Sequence, residues 1–258
     1  GRYDEFSDFG NTTNPKFGLS WNVTNTVMLR MSAGTGFKAP QLKDLYAADS
    51  DGYPSFIDHV ACENEKQAGG STPSCLPQQW RVLSGGNEDL EEEKSESYNI
   101  GIVYQPSRRS MLSLDVWQTK LNNVVGVNYE KLTEYEQSGG NLADLGIEVE
   151  RDASGRIDYI NAPLLNLASL EISGVDLEIK AALSNAFMLK MQHSHLFYYK
   201  NEGFPGTGFE DELGENGFPA WRNNISLTYS SGSIGLTLIA KTIGNHKSAI
   251  EGEEELPV

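Results

Sequence analysis

The chain has 258 residues, with 36 Asp and Glu against 20 Lys and Arg and a formal net charge of −16. So acidic a balance argues against a nucleic-acid groove as the main function, because phosphate binding rests on clustered cations. No stretch of about 18 or more apolar residues occurs, which excludes a membrane-crossing helix but not barrel strands, whose signal is a short alternating segment.

The first stretch, Gly1 to Asn14, is polar and aromatic and reads as the end of a strand followed by a loop. Asn11-Thr12-Thr13-Asn14-Pro15 is turn chemistry. No signal-peptide pattern begins at Gly1, and the chain is expected to be a fragment of a longer protein. Phe17, Leu19, Trp21 and Val23 then alternate with Gly18, Ser20 and Asn22, and Thr24-Asn25-Thr26 makes a short turn. Period two continues in Val27, Leu29, Met31 and Ala33 against Arg30, Ser32, Gly34 and Gly36, so this too is a strand with one apolar face. A loop of roughly fifty residues follows, far longer than the ordinary connection of about 2–5 residues in a hairpin. The chain returns through Tyr98, Ile100, Ile102 and Tyr104 against Ser97, Asn99 and Gly101, and turns briefly at Gln105 to Arg109.

Leu112, Leu114 and Val116 against Ser113, Asp115 and Trp117 mark the next strand, which runs into a second long loop over about Val127 to Leu167. That loop carries a small strand-like piece at Arg156 to Ile160. The cleanest alternation comes next, with Val175, Leu177, Ile179, Ala181 and Leu183 against Gly174, Asp176, Glu178 and Lys180. A turn at Ser184-Asn185-Ala186 leads into a strand over Phe187 to Lys200, and a third long loop spans Asn201 to Ala220. Ile225, Leu227 and Tyr229 form the return, Ser230 to Ser233 turns, and Ile234, Leu236, Leu238 and Ala240 begin a last strand. Glu251 to Val258 closes the chain without an aromatic end.

Connections therefore alternate short and long. An antiparallel up-and-down meander gathers the short turns on one side and the long loops on the other, which is the asymmetry of outer-membrane barrels. Asp176, Glu178 and Lys180 would be poor core residues but suit a wet lumen. Trp21, Tyr104 and Tyr229 fall near short-turn ends on the apolar parity, where an interfacial aromatic girdle would lie.

Acidic residues concentrate in the loops. Between Lys43 and Ser97 there are twelve Asp and Glu against four Lys and Arg, and Asn201 to Ala220 has five acids and no base. Solvation of exposed loops explains this; a calcium site helped by Asp49-Ser50-Asp51-Gly52 is the sharper reading, although the run falls short of an EF-hand. Cys62 and Cys75, the only cysteines, lie in one loop and are expected to pair as a disulfide in an oxidising compartment. A metal pair with His59 is the other reading, but it lacks the four ligands of a zinc set.

Nothing in the chain resembles a nucleophile elbow, a phosphate loop or a zinc motif, so enzyme activity is not expected and no cofactor is implied. Gly34-Thr35-Gly36 follows a strand but precedes no helix-like segment, unlike a phosphate cradle. His193 and His195, two apart on one strand face, suit a membrane-interface or structural role.

The run R-x-S-x-G-T-G-F-K-A-P-x-L-x-x-L-Y, carried by Arg30, Ser32, Gly34 to Pro40, Leu42, Leu45 and Tyr46, resembles the barrel domain of TonB-dependent outer-membrane receptors. So does G-N-x-D-L-x-x-E-K-S-x-S-Y-N-I-G, through Asn87, Asp89, Leu90, Glu93 to Ser95 and Ser97 to Gly101. Glu91 and Glu92 depart from the family's usual lysine and proline, at loop-like positions. A weaker match, N-L-x-S-L-E-x-S-G-V-D-L, covers Asn166 to Leu177.

The resemblance implies an all-β transmembrane barrel of about twenty-two strands. Residues 1–258 would supply about eight or nine of them, with short periplasmic turns and long extracellular loops. A plug domain, absent here, would couple to the TonB-ExbB-ExbD complex. It further implies residence in the outer membrane of a Gram-negative bacterium, contact with its lipid, and uptake of a small nutrient such as siderophore-bound iron, haem, cobalamin or a saccharide. Ligand contacts are expected from aromatics of the long loops and upper lumen: Tyr46, Tyr53, Phe56, Trp80, Phe204, Phe209, Phe218 and Trp221. A soluble secreted β-sandwich, of the carbohydrate-binding or adhesin kind, is the alternative, and its apolar faces would meet across a closed core.

Overall fold

The computed structural model describes residues 1–6, 10–215 and 217–246. The expectations for Glu251 to Val258 lie outside the described residues.

Strands β1 (Arg2–Phe6) and β2 (Gly10–Asn14) form a hairpin, and β3 (Lys16–Asn22) and β4 (Val27–Lys38) follow. The first long loop holds α1 (Leu42–Tyr46), β5 (Ser50–Gly52), β6 (Ser55–Phe56), α2 (His59–Ala68), β7 (Gln78–Gln79) and β8 (Arg81–Ser84). The chain returns through β9 (Glu93–Ser107) and β10 (Ser110–Val125). The second long loop holds α3 (Tyr129–Gln137), β11 (Glu148–Arg151) and β12 (Ile157–Asn161). Then come β13 (Asn166–Ala182), β14 (Phe187–Glu202), the short β15 (Glu210–Asp211) in the third loop, β16 (Trp221–Ser231) and β17 (Ile234–Ile243).

Eight of these strands pair in the order β17-β16-β14-β13-β10-β9-β4-β3, every pair antiparallel and consecutive in the chain, with β15 added beside β14. This is the expected up-and-down meander. Two of the short turns are built alike: Thr24 Oγ1 accepts from the Val27 amide at 3.0 Å, and Ser184 Oγ from the Phe187 amide at 3.1 Å. Each hydroxyl thus replaces a turn hydrogen bond and reverses the chain in four residues. Strands β9, β10, β13 and β14 run 15 to 17 residues, longer than the about 9–11 a tilted strand needs to cross hydrocarbon. Their tops carry ion pairs, Lys38–Glu93 at 2.9 Å and Lys120–Glu171 at 2.5 Å, as suits strands that rise clear of lipid.

One row across the sheet defines the two faces. Trp21, Leu29, Ile102, Leu114 and Leu177 pair in sequence on one side. A residue away, Arg30, Gly101, Asp115, Asp176 and Ser194 pair on the other. The apolar side is open: Leu29, Ile100, Ile102, Leu114, Leu236 and Leu238 are all exposed, Leu238 at 73%. Among the described residues no second layer covers this face, as a sandwich would require. A contiguous apolar surface across eight strands exceeds what a water-soluble monomer leaves bare. Trp21 and Tyr104, at 59% and 45% exposure, and the Phe187–Tyr229 pair sit on this side near the short turns.

On the polar side the Arg30 guanidinium reaches over β9 to Asp115 on β10, with bonds of 2.8 and 2.5 Å, and donates to Ser113 at 3.0 Å. It can do so because Gly101 lies between them: a Cβ there would stand 2.1 Å from Asp115 Oδ1 and 3.1 Å from the Leu114 carbonyl. Gly101→Val is therefore expected to break the Arg30–Asp115 pair and destabilise the barrel by about 1–3 kcal/mol, the cost of leaving a buried polar group unsatisfied. Urea unfolding of the variant in lipid, against Gly18→Val, checks this; the nearest atom to a Cβ at Gly18 is 4.0 Å away.

Three local expectations are corrected. Asn11 to Asn14 form β2, pairing residue for residue with β1, where turn chemistry was expected. A short helix, α1, follows Gly34-Thr35-Gly36, but only after the strand has run on to Lys38. And the long loops are not irregular: they fold into a core of their own.

Candidate functional site

On the long-loop side, the first and second loops join in a four-stranded sheet of order β11-β12-β8-β5, in which β12 and β8 run parallel. Beneath it Phe56, Trp80, Val82, Leu132, Leu142, Ile147, Ile157, Ile160, Leu167 and Phe204 form one buried cluster. All three long loops contribute to it, so they fold as a single cap on the meander. Among the described residues, all of the largest fully buried side chains lie in this cap.

Helix α2 begins where Asp58 Oδ1 accepts from the Ala61 amide at 3.2 Å, and ends at Gly69, whose φ of 71° suits a residue without a Cβ. Helix α3 is capped in the same way by Asn128, which accepts from the Lys131 amide at 3.2 Å. Asp58 is fully buried and is held by Arg151 at 2.8 and 3.2 Å; Arg151 also donates to Glu136 at 2.8 Å. Burial works against the Arg151 charge, but the hydrogen bonds it donates to Glu136 and Asp58 outweigh it and hold its pKa above the ordinary arginine value.

Cys62 and Cys75 form the expected disulfide, with Cα atoms 4.6 Å apart. It ties α2 to the following turn, where Ser74 binds Glu65 through both backbone and hydroxyl. Cys62→Ser with Cys75→Ser is expected to remove about 2–4 kcal/mol of local stability. Faster protease cleavage between residues 62 and 80, with barrel strands unaffected, is the readout.

The eight aromatic candidates separate by position. Phe56, Trp80 and Phe204 are interior to the cap, with 3%, 7% and 0% exposure, and offer no surface to a ligand. Their rings pack instead: Phe56 stacks on Tyr129 at 5.7 Å, and Phe204 lies 4.9 Å from Tyr135. Trp221 pairs with His195 on the outward parity of β16, shared with Ile225 and Tyr229. Tyr46, Tyr53 and Phe209 are exposed on the cap. Phe218 packs on Tyr199 at 4.3 Å and, together with Trp221, lines an upper-lumen cavity of about 380 Å³ bounded also by Ile172, Leu196 and Arg222.

Lower down, Arg30, Asn99, Asp115, Asp176, Glu178 and Gln192 line a polar groove of about 530 Å³ on the lumen face. Sequence parity placed these residues on one face, but not the groove they make together. His193 and His195 stack at 6.2 Å on the outward side, and His193 Nδ1 meets Asn223 Oδ1 at 2.6 Å. Asp51 pairs with Arg81 at 2.8 Å, and Ser50 to Gly52 form the edge strand β5 beside β8.

Charge is divided sharply between the two parts. Residues 39–92, 126–165 and 203–220 hold 22 acidic and 6 basic side chains, which equals the whole formal charge of −16 and leaves the remainder balanced. The cap therefore presents a negative mouth above a lumen whose own carboxylates are partly paired.

Comparison with known proteins gives two results. The family model described as "TonB dependent receptor-like, beta-barrel" matches residues 1–247. Among solved structures, the siderophore receptor PirA from Acinetobacter baumannii superposes with a TM-score of 0.63 at 13% identity, over 94% of this chain and 30% of that one. A point mutant of the ferric enterobactin receptor PfeA from Pseudomonas aeruginosa, in complex with enterobactin, gives 0.65 at 13% identity, over 98% and 32%. The chain thus spans about a third of the length of the structures it matches. No curated protein matches it.

Proposed function

The chain belongs to the family of TonB-dependent receptor-like β-barrels, proteins of the Gram-negative outer membrane, and from that premise we propose that it is part of a receptor that takes up a scarce nutrient. The strands that close the barrel, and a plug that couples uptake to TonB-ExbB-ExbD, come from the rest of the protein. The observation that carries this reading is the pairing of a bare apolar outer face with a folded cap on the long-loop side. Such a cap, stabilised by its own core, ion pair and disulfide, presents a preorganised surface to a ligand arriving from outside.

The ligand class follows from chemistry and charge. The similar solved structures are siderophore receptors, and a chelated metal is the proposed cargo. The cap's charge of −16 repels polyanions and draws in cationic complexes, because summed surface charge steers the encounter of charged ligands by factors of about 10–1000. A cationic iron–hydroxamate complex is therefore favoured over an anionic iron–catecholate. In this reading the exposed Tyr46, Tyr53 and Phe209 and the cavity-lining Phe218 and Trp221 are the aromatics proposed to touch it.

Iron uptake by cells carrying the full-length receptor tests this. Uptake of the cationic complex, lost when TonB is deleted, is the expected result. Uptake of the anionic complex alone contradicts the charge argument, and uptake of neither contradicts the cargo. Glu88, Asp144, Glu148 and Asp158 are exposed on the cap. Converting all four to their amides is expected to slow association of the cationic complex several-fold, an effect that fades at high salt.

A further inference from the structure

One cluster in the cap is unused by this reading of uptake. His59 at the start of α2 faces Glu130 and Glu134, which lie four apart on one face of α3, and their donor atoms all fall within 4.8 Å of one another. His59 Nε2 stands 3.6 Å from Glu130 Oε1 and 3.5 Å from Glu134 Oε1. That nitrogen is shielded from solvent and makes no hydrogen bond among the described residues. A shielded imidazole nitrogen that faces two carboxylates but makes no hydrogen bond is costly, so something is expected to satisfy it.

We propose that His59, Glu130 and Glu134 bind one divalent cation of the zinc class, which clips the first long loop to the second. The spacing supports this. Donors about 2.0–2.1 Å from a tetrahedral zinc stand about 3.3–3.4 Å from each other, close to both nitrogen–oxygen distances here. A calcium ion would instead take six to eight oxygens, and an imidazole is not among its usual ligands. Water completes the coordination on the open side, where Glu130 is half exposed.

The surrounding groups hold the ligands in place. Lys131 Nζ binds Glu134 Oε2 at 2.8 Å and also pairs with Glu210, leaving Glu134 Oε1 turned toward His59. Thr133, fully buried, donates to the carbonyl of Ile57 on one loop, and its hydroxyl lies 3.5 Å from the His59 amide. The two helices are therefore stitched together beside the site before any ion arrives. Outer partners of this kind tune metal affinity as the ligands themselves do.

The test uses the purified full-length receptor in detergent, stripped with chelator and titrated with zinc chloride alone. Wild type is expected to retain one more zinc per chain than His59→Ala, and one more than the Glu130→Gln, Glu134→Gln double variant. Each variant's affinity at this site should fall at least tenfold. Formation of the Cys62–Cys75 disulfide reports that the cap is intact; if His59→Ala lacks it, the double variant, whose side chains keep their size, decides. Equal zinc content in wild type and an intact variant overturns the proposal, as does displacement of the zinc by an equal concentration of calcium. Neither result bears on iron uptake, so the two readings fail separately.

Discussion

Leu114→Arg is expected to prevent stable insertion of the receptor, at a cost of about 2–4 kcal/mol if the site lies near the bilayer midplane. Leu114 sits on the outward side of β10, between Ile102 on β9 and Leu177 on β13, with 41% of its surface exposed and nothing above it among the described residues. An arginine there has no partner and must lie in hydrocarbon or bend toward an interface. Gln192→Arg is the control: it stands on the lumen side of β14, opposite Glu178 on β13, where a cation meets water and a carboxylate. That variant should fold within about 0.5 kcal/mol of wild type, as surface changes away from special features do. The amount of heat-modifiable receptor in outer membranes, measured for both, separates a lipid-facing surface from a protein core; equal loss in the two variants would contradict the assignment.

Arg151→Met carries the second large effect, and it falls on the cap. The Asp58 carboxylate has no solvent exposure, and Arg151 is its ionic partner, while the Ala61 and Ile157 amides supply its other bonds. Taking away one member of a buried pair leaves the other charged and desolvated, at about 3–5 kcal/mol. The loss is local. Hydrogen exchange should quicken in α2, β11 and β12, while β9, β10 and β13 keep their protection. Adding Asp58→Asn removes the stranded charge but keeps a side chain able to cap α2, and should restore more than half of the loss. If the double variant is no better than Arg151→Met, the pair is not what holds the cap.

The barrel was legible in the sequence because its signal is periodic. Val175, Leu177 and Ile179 against Asp176, Glu178 and Lys180 can satisfy only a sheet with one wet and one greasy side, and short turns at Thr24 and Ser184 set the direction of the meander. The cap was not legible as a fold, since its contacts are long-range. Phe56, Trp80, Leu132 and Phe204 come from three loops and meet only once the strands have brought those loops together. Local cues were there to read, however. Asp58 ahead of His59-Val60-Ala61-Cys62-Glu63 and Gly69 after Ala68 mark the two ends of α2, as a capping residue and a left-handed stop. Large aromatics in polar loops suggested ligand contacts for the same reason: sequence shows that a ring is present, but not that Phe56 and Phe204 have each other's neighbourhood to fill. The proposed zinc ligands join Glu130 and Glu134, visible as a four-residue spacing, to His59, 71 and 75 positions earlier, which only the folded cap brings near.

The most direct measurement is a spin-label scan along residues 111–117 of β10, one cysteine at a time, in the full-length receptor reconstituted into bilayers. Oxygen accessibility is predicted to be high at Leu112, Leu114 and Val116 and low at Ser113 and Asp115, alternating with period two. A flat profile, or high values at 113 and 115, would contradict the claim that this face touches lipid.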